Sequence, residues 1–143
     1  VTERGNCKIL NSMEHTWKDS LNLMGWGVED DGLSVIFDKI IPEFITKKLP
    51  QVVNKFPLKD LDGYVLHSGG MKIIDAYKKI FNNDPTIEFS QKILSEYGNV
   101  SSVSVLLVLK EIIKKKSNGI FLMSALGPGF TAGMTGLEIC SND

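Results

Sequence analysis

The feature that most constrains this fold is a short apolar run that ends in a histidine and passes through two glycines into an amphipathic segment. Residues 63–66 form the run, and His67 follows them directly. Gly69 and Gly70 permit a tight strand-to-helix turn. Residues 70–81 carry apolar side chains on one helical face and lysines opposite, which predicts a helix. We therefore expect a strand, a tight turn and a helix in succession.

The first third of the chain predicts three strands and a helix. Residues 7–17 mix apolar and polar positions, as an extended segment does. Residues 24–28 and 33–37 are β-prone, and the Asp-Gly pair between them is a hairpin signal. Beyond Pro42 the apolar residues recur at helical spacing. Pro50 interrupts that pattern and predicts a kink or a split in the helix.

The last part of the chain predicts two helices and a pair of strands. Residues 89–96 suit a short helix. Residues 100–116 begin with enough β-branched side chains for a strand, but their final lysines and the Asn-Gly pair after them favour a long buried helix. Residues 120–126 and 134–140 flank a Gly-Pro-Gly turn and predict a strand pair. The sum is an α/β layered domain.

Length and charge exclude several classes of function. The chain has 143 residues, the size of one domain with a real core, and we assign residues 1–143 to a single domain. Its net charge of −1 lacks the basic excess that a nucleic-acid partner requires. The longest apolar run, residues 105–109, is too short to span a bilayer, so no membrane partner is expected. The N-terminus shows no signal peptide, and we expect a cytoplasmic location.

The cysteines indicate neither a metal site nor a disulfide. Cys7 and Cys140 lie at opposite ends of the chain, without the spacing of metal ligands. A bridge between them is not expected in a cytosolic protein. The chain starts with Val1 rather than methionine, which indicates that it is part of something longer.

His67 and Asn99 are the candidate catalytic residues, and each also has a purely structural interpretation. A histidine at a strand end is more often structural, although α/β sheets do place functional groups at the carboxyl ends of strands. Asn99 precedes the long predicted helix, where asparagine is a preferred N-cap. Gly69 and Gly70 either form only a turn or expose backbone N–H groups to an anion. The Gly-Pro-Gly segment at 127–129 is typical of a turn.

The combination of the first two residues carries the functional argument. An imidazole and a neutral amide, each at the start of a helix, can converge on one carbonyl oxygen and stabilise the negative charge that develops there. Such a pair needs a nucleophile. Neither Cys7 nor Cys140 has the helix-N-terminal setting that lowers the pKa of a thiol, so the nucleophile is missing.

Three segments identify a family resemblance. One segment closely resembles the C-terminal half of type III polyketide synthases, the chalcone synthase-like family: LSEYGNVSSVSVLLVLKEIIKKKS, followed by LGPGFT. VLHSGGMKIID is similar to that family's His-Pro-Gly-Gly motif, and the resemblance spans residues 24–140. It implies a thiolase-type α/β fold, with a mixed five-stranded sheet covered by helices. This chain then corresponds to the second of two similar halves, and the nucleophilic cysteine belongs to the first.

The resemblance also assigns roles to the candidate residues. His67 and Asn99 match the catalytic histidine and asparagine of the family. Gly69 and Gly70 match positions against the CoA arm, and Ser101 matches a position that lines the pocket. The segment Gly127, Pro128 and Gly129 matches the floor of the elongation cavity.

The family reaction and its partners follow from the same resemblance. A cysteine accepts an acyl group from acyl-CoA, malonyl-CoA is decarboxylated, and the resulting enolate attacks the bound acyl thioester. The expected partners are therefore acyl-CoA, malonyl-CoA, the chain's own N-terminal half and a second copy in a homodimer. No cofactor or metal is expected beyond the CoA thioesters, and this chain alone is expected to be inactive.

Three positions depart from the plant enzymes of the family. Ser68 replaces the usual proline of the histidine motif. Val35 occupies the position of a gating phenylalanine, and Leu126 stands where a phenylalanine precedes Gly-Pro-Gly. The last two changes fall in the cavity or its entrance and argue against a plant-type aromatic starter. The Met-Gly-Trp segment at 24–26 resembles bacterial members of the family, and we expect a fatty acyl starter.

Two alternatives stay open from the sequence. The chain can be a non-catalytic acyl-CoA-binding or scaffold relative that kept the fold. It can also belong to a β-ketoacyl-carrier-protein synthase or a thiolase, although the EYGN and Gly-Pro-Gly motifs disfavour this.

Overall fold

The computed structural model describes residues 5–115 and 117–140 of the chain. Six strands and four helices alternate in an α/β arrangement, as the sequence predicts. In chain order they are β1 (Cys7–Thr16), β2 (Met24–Glu29), β3 (Gly32–Phe37), α1 (Ile41–Val53), β4 (Gly63–Leu66), α2 (Met71–Ile80), α3 (Ile87–Tyr97), α4 (Val103–Lys114), β5 (Gly119–Gly127) and β6 (Thr131–Ile139).

The main sheet has four strands in the order β1-β6-β5-β4. β4 runs parallel to β5, and the other two pairs are antiparallel, so the sheet is mixed. The main sheet therefore has four strands, not the five that the resemblance implied. The hairpin β2–β3 forms its own two-stranded sheet, in which the strands pair with each other along their full lengths and every residue is exposed or half-buried.

Helices cover both faces of the main sheet. In β4, Leu66 packs with α1 and α2, whereas its neighbour Val65 packs with α3 and α4. Successive residues of a strand point to opposite faces, so α1 and α2 lie on one face and α3 and α4 on the other. A strand buried on both faces reads as a continuous apolar run, which is why residues 63–66 lack alternation.

Two helices differ from the prediction in detail. α1 runs through Pro50 to Val53 rather than splitting there. α4 begins at Val103 because the positive φ of Ser101, +56°, interrupts the helical backbone. Ser102 rather than Asn99 is therefore the N-cap residue. The last residue of the predicted helix, Lys116, lies outside the described residues.

Candidate active site

A cavity of about 430 Å³ lies where β4 ends. Four segments contribute to its wall: the hairpin β2–β3, the loop after β4, the loop between α3 and α4, and the β5–β6 turn. Residues predicted for the site that line it are Val35, His67, Asn99, Ser101, Leu126, Gly127 and Pro128. A smaller cavity of about 30 Å³ adjoins these side chains and includes Gly69, His67, Asn99 and Leu126. The structure thus brings three separate sequence motifs together.

His67 is positioned by the parallel pairing of β4 with β5. Its backbone N–H donates to the carbonyl oxygen of Ser124 at 3.0 Å, one residue beyond the end of β4. Burial lowers the pKa of the imidazole below its ordinary value of 6.5. Its Nδ1 atom is buried without a hydrogen-bond partner among the described residues. Burial therefore favours the neutral form of this imidazole over the protonated form.

Gly69 and Gly70 serve two different geometric needs. Gly69 donates its N–H to the carbonyl oxygen of His67 at 3.0 Å, which closes a tight turn. A Cβ at Gly69 would lie 3.3 Å from Cδ2 and 3.4 Å from Nε2 of the His67 ring, so glycine leaves room for the imidazole. Gly70 is the N-cap residue of α2 and has a φ of +144°, which favours glycine. It lies next to the cavity rather than in its lining.

The Asn99 side chain is fixed by two hydrogen bonds. Its Oδ1 accepts the N–H of Ser101 at 3.0 Å, and its Nδ2 donates to the carbonyl oxygen of Gly69 at 3.2 Å. These bonds set the orientation of the amide and tie the asparagine motif to the histidine motif. Since an amide nitrogen carries two hydrogens, one N–H is left for a ligand in the cavity.

The hairpin supplies apolar lining that the sequence did not single out. Met24, Trp26 and Phe37 line the cavity beside Val35. The hairpin register links these residues, because Met24 lies opposite Phe37 and Trp26 lies opposite Val35. Side chains of directly opposed residues in an antiparallel pair share one face. Assigning that face to the cavity required the tertiary structure.

The β5–β6 turn closes the other side of the cavity. Leu126, Gly127 and Pro128 line it, whereas Gly129 lies outside the lining and has a φ of +137°. Phe130, fully buried, forms part of the smaller cavity below. The turn therefore shapes the cavity through its first residues.

The described residues place no cysteine nucleophile at the cavity. Neither cysteine lines the cavity among residues 5–115 and 117–140; Cys7 lies in β1 opposite Ile139, and Cys140 follows β6. Both are free thiols, and burial raises the pKa of the Cys7 thiol. The described residues also contain no cluster of three or more histidine, cysteine, aspartate or glutamate side chains suited to a metal ion.

Residues 8–138 match the family described as chalcone and stilbene synthases, C-terminal domain. The chain belongs to this family. It corresponds to the C-terminal half of a type III polyketide synthase, as the motifs predicted. No helix in the described ranges is long and apolar enough to cross a membrane.

Relatives of this polyketide synthase domain occur in several bacteria. A chalcone synthase-like protein of Bacillus subtilis is 35% identical over 135 residues, which cover 87% of this chain and 37% of that protein. The phloroglucinol synthase of Pseudomonas fluorescens is 30% identical, with 92% of this chain and 40% of that protein covered. The chain thus spans about two fifths of the length of these relatives.

Solved structures share the fold of this domain. The 1,3,6,8-tetrahydroxynaphthalene synthase of Streptomyces coelicolor, a bacterial type III polyketide synthase, superposes with a TM-score of 0.81 at 25% identity, covering 100% of this chain and 44% of that one. The type III polyketide synthase domain of Steely1 from Dictyostelium gives a TM-score of 0.84 at 23% identity, with 94% and 40% covered.

Proposed function

We propose that this chain is the C-terminal half of an acyltransferase that condenses malonyl-CoA with an acyl-CoA starter by decarboxylation. In this proposal it supplies His67 and Asn99, and the half that precedes it supplies the cysteine. The observation that supports this most directly is the meeting of both side chains at one cavity, with Asn99 bonded to the loop after His67.

The geometry suits a sequence of three chemical steps. Neutral His67 takes the proton of the cysteine thiol, and the thiolate attacks the acyl-CoA carbonyl and displaces CoA. Malonyl-CoA then loses CO₂, and the electron pair of the broken bond becomes an enolate. N–H groups of His67 and Asn99 bind the thioester oxygen as its charge grows. The enolate carbon finally attacks the cysteine-bound acyl group and releases the thiolate.

The lining of the cavity favours an aliphatic starter. Met24, Val35, Phe37 and Leu126 make the wall largely apolar. Apolar walls with few polar groups bind an acyl chain and leave orientation to the polar residues. A fatty acyl-CoA is therefore the proposed starter, and no further cofactor is invoked.

The exposed apolar side chains favour the proposed protein partners. Large apolar residues on the hairpin and on α4 are exposed, among them Val28 at 85%, Leu33 at 68% and Leu106 at 55%. Apolar patches of this kind mark surfaces that contact other protein. We assign them to the N-terminal half and to a second copy in a homodimer, and we place the complete protein in the cytoplasm.

The test uses the complete protein that contains this chain. We expect His67→Ala and Asn99→Ala each to abolish the release of CO₂ from labelled malonyl-CoA while the circular dichroism spectrum is unchanged. His15→Ala and Asn11→Ala are matched controls on β1, away from the cavity, and should retain activity. Condensation that persists in both cavity variants would overturn the proposal.

One observation favours a second candidate. A β-ketoacyl-carrier-protein synthase III of Trichodesmium erythraeum is 32% identical over 104 residues. The same residues would then act on a malonyl group carried by a protein. A preference for malonyl carrier protein over malonyl-CoA in the same assay would favour this candidate. Condensation with neither donor, together with tight acyl-CoA binding, would favour the non-catalytic relative.

A further inference from the structure

A buried serine outside the sequence motifs joins two walls of the cavity. Ser20 lies between β1 and β2 and is 2% exposed. Its Oγ donates to the carbonyl oxygen of Trp17 at 2.6 Å and accepts the N–H of Phe130 at 2.7 Å. A serine hydroxyl has one hydrogen to donate, and Trp17 takes it. The bond to Phe130 therefore has a fixed direction, with the serine oxygen as the acceptor.

Phe130 carries the end of the β5–β6 turn into the site. Its N–H donates to Ser20, and its carbonyl oxygen accepts the N–H of Trp17 at 3.0 Å. Both backbone polar groups are thus held by the segment that follows β1. The fully buried ring stacks on Trp17 with 5.6 Å between the centroids, and it lines the smaller cavity with His67 and Asn99. The bond to Ser20 therefore helps to fix the depth of the site.

The same segment also holds the base of the hairpin. The N–H of Leu23 donates to the carbonyl oxygen of Ser20 at 3.1 Å, and the N–H of Asp38 donates to the carbonyl oxygen of Leu23 at 2.8 Å. Leu23 precedes β2 and Asp38 follows β3, so the two ends of the hairpin meet here. Their neighbours Met24 and Phe37 line both cavities. Ser20 is thus bonded to the turn through its side chain and to the hairpin through its backbone.

Sheet pairing does not set the distance between these two walls. Among residues 5–115 and 117–140, β2 and β3 pair only with each other, whereas the turn joins two strands of the main sheet. The hairpin wall and the turn wall therefore belong to separate sheets. The bonds of Ser20 provide a link between them that the ladders lack.

We infer that Ser20 is a positioning residue that fixes the separation of the hairpin wall and the turn wall, and that it thereby sets the length of acyl chain that the cavity accepts. The inference rests on the proposed function, since it specifies how that site selects its starter. A well-shaped apolar pocket discriminates by roughly 10- to 200-fold against one methylene more or less. Without the serine oxygen the buried N–H of Phe130 has lost its acceptor, which is costly unless the turn moves. A wall that can move should accept chains of several lengths.

The first test measures starter selection in the complete protein. Saturated acyl-CoA starters of increasing length are compared by kcat/KM. In Ser20→Ala the ratio of kcat/KM between the best starter and the next longer one should fall by roughly tenfold, since the fixed wall is lost. The kcat for the best starter should be retained, because Asn99 is held by Gly69 and Ser101. A merely structural role would lower kcat for every starter and leave the ratio unchanged.

Thr86→Val is the matched control. The hydroxyl of Thr86 accepts the N–H of Tyr64 at 2.8 Å, at the opposite end of β4 from His67, so a bond of the same kind is removed. Thr86 lines neither cavity of the site. This variant should have a lower unfolding temperature, as Ser20→Ala should, but an unchanged starter ratio. An unchanged ratio in Ser20→Ala, or an equal fall in the control, would overturn the inference.

A second variant decides the question if Ser20→Ala does not fold. Ser20→Cys changes the size of the side chain little, and a thiol is only a weak hydrogen-bond donor and acceptor. Its starter ratio should lie below that of the wild type. The same ratio in both proteins would contradict the role of the hydroxyl.

A third measurement does not depend on turnover. Calorimetry measures the binding of S-alkyl-CoA thioethers of increasing chain length, which cannot acylate a cysteine. A wild-type affinity that depends on chain length, with a flatter dependence in Ser20→Ala and not in Thr86→Val, supports the role of Ser20 even if no CO₂ is released and the proposed function fails. No dependence on length in the wild type, or the same dependence in all three proteins, would show that Ser20 does not select the chain.

Discussion

Replacing Gly69 by alanine tests whether the fit of the His67 ring controls the chemistry. The new Cβ would lie 3.3 Å from Cδ2 and 3.4 Å from Nε2 of the imidazole, and 3.7 Å from Cγ1 of Ile73. The first two distances are shorter than ordinary van der Waals contacts, so the ring must move by a few tenths of an ångström. Because the backbone at Gly69 needs no positive φ, strain is confined to this contact.

The effect on stability should be small and the effect on activity large. Crowding of this kind costs about 1–3 kcal/mol, and the alanine recovers about 0.4–1 kcal/mol by restricting the unfolded chain. The net loss of unfolding free energy is therefore between about zero and about 2.6 kcal/mol. Misplacement of a catalytic group by 1 Å lowers rates by about a hundredfold, so a smaller shift should lower kcat by roughly tenfold or more.

The assay measures CO₂ release and thermal unfolding of the complete protein. Two other glycines provide its controls. Gly133→Ala should change neither quantity, because its Cβ would meet no described atom within 4 Å and its φ is ordinary. Gly70→Ala should lower the unfolding temperature, since a non-glycine residue at a φ of +144° costs about 1–3 kcal/mol. An unchanged kcat in Gly69→Ala would refute the argument, as would an equal loss in Gly133→Ala.

Two further predictions concern pH and chain length. Since burial lowers the pKa of folded His67 below 6.5, the unfolded state binds more protons between these two pKa values. The free energy of unfolding should therefore fall as pH drops below about 6.5. Urea unfolding measured at several pH values should show a weaker pH dependence in His67→Gln than in the wild type. An identical pH dependence in the two proteins would contradict the lowered pKa of His67. Val35→Phe places a larger ring on the wall of the 430 Å³ cavity, so product mass spectra should shift to shorter acyl starters. Ser34→Thr, one residue away, serves as the control, and unchanged products in Val35→Phe would place the acyl chain elsewhere.

Much of the fold could be predicted because local patterns and tertiary structure agree. Turn residues and the spacing of apolar residues match the observed packing in three places: the hairpin β2–β3, β4 with α2, and the pair β5–β6. The number of strands in the main sheet could not be predicted in this way. β2 and β3 are as β-prone as the others, and only their exposure reveals that they pair apart from the sheet.

Most residues that line the cavity could be predicted from the sequence, but their hydrogen bonds could not. The motifs identified His67 and Asn99, and the structure places both at one cavity. The interpretation of Asn99 as a helix cap was wrong, because its Oδ1 bonds to Ser101 in the turn before α4. The bond from Asn99 to Gly69 joins residues 30 positions apart, and spacing along a chain carries no information about such contacts.

The cavity has two walls of very different burial, and this asymmetry bears on how the protein can change over evolutionary time. His67 extends from β4, whose residues are buried between two layers of helices, so substitutions there are costly. Val35 and Trp26 belong to the hairpin and are exposed at 63% and 60%. Substitution of side chains outside the core of this domain costs the domain itself little folding free energy. Under the proposed function, new starter preferences can therefore arise by variation in the hairpin while His67 stays in place.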